Sequence, residues 1–84
     1  MDLRVVVGQN IRALREARGL AQDALAHDAG IHVTYLSGVE NGHRNITLLV
    51  LARIAESLGV SEAFLVDREM PGSSRSHEQI APRD

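Results

Sequence analysis

The 84-residue sequence predicts an all-α domain, and three observations carry that prediction. Apolar residues recur at helical spacing, as in Val7, Ile11 and Leu14, and again in Leu48, Leu51, Ile54, Ala55 and Leu58. Gly19, Gly30, Gly42 and Gly59 fall between the periodic stretches, where helix C-termini and tight turns favour glycine. The alternation a strand needs is available only in the short segment 3–7. Helices are expected near 5–18, 22–28, 33–41 and 47–58, with a short fifth near 61–67.

The first helix rests on the Val7, Ile11, Leu14 stripe and ends before Gly19. Gln22 opens the second, Ala26 lies four residues on, and Gly30 follows four later. This spacing describes two short helices crossing steeply: Ala26 is small where the backbones approach, and Gly30 suits a turn costly for other residues. In the third helix Ile31, Leu36 and Val39 form the expected buried stripe, which leaves Val33, Thr34, Ser37, Gly38 and Asn41 on the outer face. A helix buried on one side, with small polar residues outside, fits the DNA major groove. The fourth helix has its stripe at Leu48, Leu51, Ile54, Ala55 and Leu58, so Leu49 and Val50 fall outside it. The fifth sets Ala63, Phe64, Leu65 and Val66 in a row on a helix too short to bury all four. Leu65 and Val66 are expected to cap the core, and Ala63, Phe64, Leu49 and Val50 to form an association surface. From Asp67 the composition changes: DREMPGSSRSHEQIAPRD holds both prolines and almost no apolar residue. The expected organisation is therefore a folded domain over 1–67 and a disordered tail over 68–84, or a helix around 76–80 formed on assembly.

Composition narrows the function. The chain is 44% apolar, enough for a core, yet has only two aromatics, Tyr35 and Phe64, so that core is built from aliphatics. Zero cysteines exclude disulfides and thiolate zinc sites. No apolar run approaches the ~20 residues of a membrane span, and a cytoplasmic bacterial chain is expected. A net charge of −2 argues against a sequence-blind nucleic-acid coater, but not against a specific binder with its few cations on one face.

Three segments, GQNIRALREARGLAQDALA, AGIHVTYLSGVENGHRN and LARIAESLGVS, resemble the XRE family of bacterial and phage regulators, with Cro and λ-repressor-like helix-turn-helix domains. The resemblance covers about residues 5–66. TYLSGVENGHRNIT followed by AFLV is also similar to the controller proteins of restriction–modification systems. It implies a compact five-helix λ-repressor-like DNA-binding domain and a transcriptional regulator, repressor or autoregulatory controller, acting as a homodimer on a two-fold-related operator. Half-sites are then expected about one helical turn, roughly 34 Å, apart. Carried over by position, base contacts fall on His32, Val33, Thr34, Ser37 and Gly38. Val33 offers only apolar contact, to a thymine methyl, and Gly38 has no side chain, so it would allow close backbone approach. Gln22 and Asn41 match phosphate clamps, Arg44 matches the basic residue just past the recognition helix, and Tyr35 matches a position near the DNA backbone. The resemblance also pairs Arg15 with Glu40, tying the first helix to the third.

Four positions depart from the family pattern. Ala21 stands where Ser or Thr usually caps the second helix, and His32 replaces the polar cap of the recognition helix. Val33 replaces a frequent long polar reader, which shifts weight toward phosphate contacts and DNA shape, and Ile46 stands where proline is common. His27, His32, His43 and His77 form no i, i+4 ligand pair, so they are read as surface histidines, with no metal, cofactor or small-molecule ligand expected. No nucleophile-elbow motif supports a hydrolase. The competing reading is a protein-interaction module of the same fold, an antiactivator or antitoxin with weak or lost DNA binding. The acidic balance and Val33 favour it, whereas Gln22, Thr34, Asn41 and Arg44 together favour DNA.

Overall fold

The structure, a computed structural model, describes residues 1–69. Most of the segment 68–84, including His77 and the stretch 76–80, lies outside the described residues. Five helices follow one another: α1 (Leu3–Ala17), α2 (Gln22–Ala29), α3 (Val33–Glu40), α4 (Leu48–Leu58) and α5 (Glu62–Leu65). Among the described residues no helix is long and apolar enough to cross a membrane.

α1 starts two residues earlier than its apolar stripe implies, and the segment 3–7 is helical. The cause is Asp2, whose carboxylate accepts from the Arg4 backbone N–H at 2.8 Å and so caps the first turn. The Arg4 guanidinium closes on the same carboxylate at 2.8 Å and holds its pKa down at about 2. Thr47 and Ser61 cap α4 and α5 in the same way, each accepting from a backbone N–H three residues on. α2 ends in a Schellman motif: Gly30 sits at φ 73°, its N–H donates to the His27 carbonyl, and the Ile31 N–H donates to that of Ala26 at 2.9 Å. This places Ile31 in the turn, half-buried, rather than on the stripe of α3.

α1 packs on α3, α2 on both α3 and α4, and α5 closes the bundle against α1 and α4. The core comprises Val7 and Ile11 of α1, Leu25, Ala26 and Ala29 of α2, Leu36 and Val39 of α3, Leu51, Ile54, Ala55 and Leu58 of α4, and Leu65. Each fully buried Leu or Ile here contributes about 1.5–3 kcal/mol. Two close approaches set the geometry. A Cβ at Gly8 would collide with the Val39 carbonyl oxygen and lie 2.7 Å from that of Glu40, so α1 and α3 touch backbone to backbone. Asn10, fully buried, donates through Nδ2 to the carbonyls of Leu65 and Asp67 at 2.9 Å each, which pins the end of α5 to α1.

Leu48 departs from expectation. It belongs by period to the core stripe of α4, yet is 84% exposed. It is the first residue of the helix, and the stripe runs one turn beyond the elements that cover it. Val50, expected outside, is half-buried and packs against the core.

Candidate nucleic-acid interface

α2 and α3, joined by the turn over 30–32, form one rigid unit, locked from behind by an ion pair. Arg15 of α1 donates to Glu40 through Nε at 2.7 Å and Nη2 at 3.0 Å, and to the Leu20 carbonyl through Nη1 at 2.8 Å. Gln22, the first residue of α2, adds a hydrogen bond from Nε2 to Glu40 at 3.0 Å. The side chains of Arg15 and Glu40 are only 12% and 3% exposed. The hydrogen bond to Glu40 pushes the Arg15 guanidinium further above its ordinary pKa, outweighing burial, which acts the other way. Three elements therefore meet at one carboxylate, α1, the start of α2 and the end of α3, and the α1–α2 loop is tied in through the Arg15 guanidinium.

The opposite side of α3 faces outward. His32, Val33 and Thr34 are exposed at its start, and Val33 retains 41% of its surface. Tyr35, Ser37 and Gly38 are half-buried, and Asn41 and Arg44 are exposed at its C-terminal end. Asn41 donates a side-chain N–H to the Ser37 carbonyl at 2.9 Å, which commits one of its two N–H groups. The Arg44 guanidinium lies over the Tyr35 ring, 5.4 Å from the centroid, within cation–π range. Gln22 lies at the start of α2, its amide shared with Glu40, so one of its two N–H groups is committed.

The starts of α2 and α3 differ from those of the other helices. Neither N-cap residue, Ala21 or His32, makes a side-chain cap hydrogen bond, whereas Asp2, Thr47 and Ser61 all do. The first-turn N–H groups of these two helices therefore lack that internal acceptor, and helix starts of this kind suit an anionic oxygen.

A second exposed surface is apolar. Leu48 and Leu49 are 84% and 62% exposed and Phe64 is 38% exposed, with Ala63 beside it. Leu48 also lines a groove with Leu3, Ile46, Leu51 and Val66, which brings the start of α4 and the end of α5 to one side of the bundle.

Two features of this region were not singled out in the sequence. Arg44 lies across Gly38, whose open face it fills, and Leu48 joins Leu49 on the surface. A glycine inside a helix was the available signal for the first, because it weakens a helix unless something occupies its place.

Comparison with known proteins agrees with this geometry. The helix-turn-helix family profile matches residues 11–65. A HTH-type transcriptional regulator of Sinorhizobium fredii, y4dJ, is 42% identical over 66 residues, spanning 79% of this chain and 86% of its own. The crystal structure of the restriction–modification controller protein C.AhdI from Aeromonas hydrophila superposes with a TM-score of 0.72 at 39% identity, covering 74% of this chain and 94% of that one. The biofilm master regulator SinR, solved in complex with DNA, superposes with a TM-score of 0.70 at 32% identity, covering 73% and 98%. With the family profile spanning most of the bundle and the α2–α3 unit in place, this chain belongs to the XRE-type helix-turn-helix family of DNA-binding transcriptional regulators.

Proposed function

We propose that the chain is a sequence-specific regulator, a repressor or autoregulatory controller, that binds a two-fold-related operator as a homodimer. The observation that carries this reading is the outward face of α3, whose own start, like that of α2, lacks a side-chain cap, with Arg44 packed across it. In this reading Val33 meets a thymine methyl, and Thr34 and Ser37 reach base edges or phosphate, with His32 and Tyr35 alongside. Gln22, Asn41 and Arg44 hold phosphates, Gln22 through its remaining N–H. With no long polar side chain at 33, sequence discrimination leans on DNA shape. The dimer forms through Leu49, Ala63 and Phe64, joined by Leu48, with Val50 contributing only its exposed part. The relatives named as controllers and regulators support the same reading.

The test is a gel-shift on the region upstream of the protein's own gene and on duplexes selected from a random pool, across a salt series. Specific binding that weakens steeply with salt is expected. Enrichment of no duplex, or binding indifferent to salt, would overturn the reading in favour of a protein-interaction module. Sedimentation of Phe64→Ala tests the dimer: a folded monomer is expected, and an unchanged dimer places the interface elsewhere.

A further inference from the structure

We propose that Gly38 is a positioning residue: it provides the seat in which Arg44 is held ready for a backbone phosphate. The phosphate part rests on the proposed reading that this face meets DNA; the seat itself does not.

Three observations converge on it. A Cβ at position 38 would lie 2.8 Å from Arg44 Cγ, 3.3 Å from Nε and 3.6 Å from Cδ, so the space beside Gly38 is taken by the Arg44 stem. The far end of that stem places the guanidinium over the Tyr35 ring at 5.4 Å. Tyr35 and Gly38 are three residues apart on α3, hence on one face, so together they form a shelf with a ring at one end and a gap at the other. The chain entering Arg44 is itself tied down, because the His43 N–H donates to the Gly38 carbonyl at 2.8 Å.

Among the described residues Arg44 makes no ion pair. A free arginine loses much rotamer freedom when it binds, whereas a seated one has lost part of it already and binds with a smaller entropic penalty. This also accounts for a glycine in the middle of an eight-residue helix, where alanine would favour the helix. In this proposal Gly38 serves DNA binding through the Arg44 stem packed across it, beside the expected close approach of its own backbone.

Gly38→Ala, Arg44→Ala and the double variant test the proposal: melting temperature and DNA binding are measured on all three, and the Arg44 ring-current shift on wild type and Gly38→Ala. The Arg44 guanidinium faces the Tyr35 ring, so an upfield ring-current shift of the Arg44 side-chain protons that disappears in Tyr35→Leu reports the seated state. Gly38→Ala should melt at or above the wild-type temperature, because only a flexible side chain has to move, and should lose the ring-current shift. On a duplex the wild type binds, it should bind on the order of tenfold more weakly, the ratio for one hydrogen bond to a charged group. Its log–log salt slope should be shallower by up to about one. The double variant should bind no more weakly than Arg44→Ala alone. A retained ring-current shift in Gly38→Ala, or binding losses that add in the double variant, would overturn the proposal. If the wild type bound no duplex, the phosphate role would fall with the DNA reading, while the shift and the melting temperature would still decide the seat.

Discussion

Replacing Arg15 by methionine keeps most of the aliphatic stem and removes the guanidinium. Glu40 then loses the donors at 2.7 and 3.0 Å and keeps only Gln22, while its side chain stays 3% exposed. A buried carboxylate stripped of its cation costs about 3–5 kcal/mol, far more than the ~1 kcal/mol at most of an exposed pair. The Leu20 carbonyl loses a donor as well. Against a total of about 3–10 kcal/mol for a domain of this size, that loss is about a third of the stability or more. Chemical denaturation followed by helical circular dichroism should show it, and the melting temperature should fall by at least about 12 °C. The double replacement Arg15→Met with Glu40→Leu removes both charges and should recover much of the loss. If Arg15→Met alone costs less than about 1 kcal/mol, the pair is effectively solvated and the reasoning fails.

Three further outcomes follow from local geometry. Gly8→Ala should destabilise by about 1–3 kcal/mol despite its better helix propensity, because the added methyl meets carbonyl oxygens of α3 and not a movable side chain; a denaturation midpoint at or above wild type would contradict it. Ala21→Ser should supply the cap α2 lacks and stabilise by about 1 kcal/mol in the same assay, with an unchanged midpoint counting against the capping argument. Asp2 has its folded-state pKa lowered from 3.8 to about 2, chiefly by the Arg4 hydrogen bond. Its contribution to stability is therefore complete above about 3.8 and is lost as pH falls toward about 2; NMR titration of its carboxyl should show the low midpoint, and an Arg4→Ala background, which keeps the backbone N–H donor, should bring it part of the way back.

Much of the architecture is legible in the chain because it is local. The order of helices, the Gln22–Ala26–Gly30 spacing and the stripe from Leu51 to Leu58 follow from periodicity and turn chemistry within a few residues. Arg15 and Glu40, 25 positions apart, are outside that reach; only the family resemblance paired them, and the structure brings them to 2.7 Å.

Tertiary packing decided what periodicity cannot, namely where a face stops being covered. Leu48 has the right phase for the core and lies on the surface, because burial depends on a facing element and the cover over α4 stops at Leu51, one turn short of Leu48. Val50 has the wrong phase and is half-buried, since α4 is covered over more than one narrow stripe. Gly8 and Gly38 look alike in sequence as glycines within helices, yet one receives a neighbouring backbone and the other an arginine stem. Asn10 reads as one more polar residue on α1 until α5 folds back to offer it two carbonyls. The sequence by itself determined which segments become helices and which faces are apolar. Apart from the Arg15–Glu40 pair that the resemblance implied, the tertiary structure decided the partners, because a contact between distant segments exists only once both are in place.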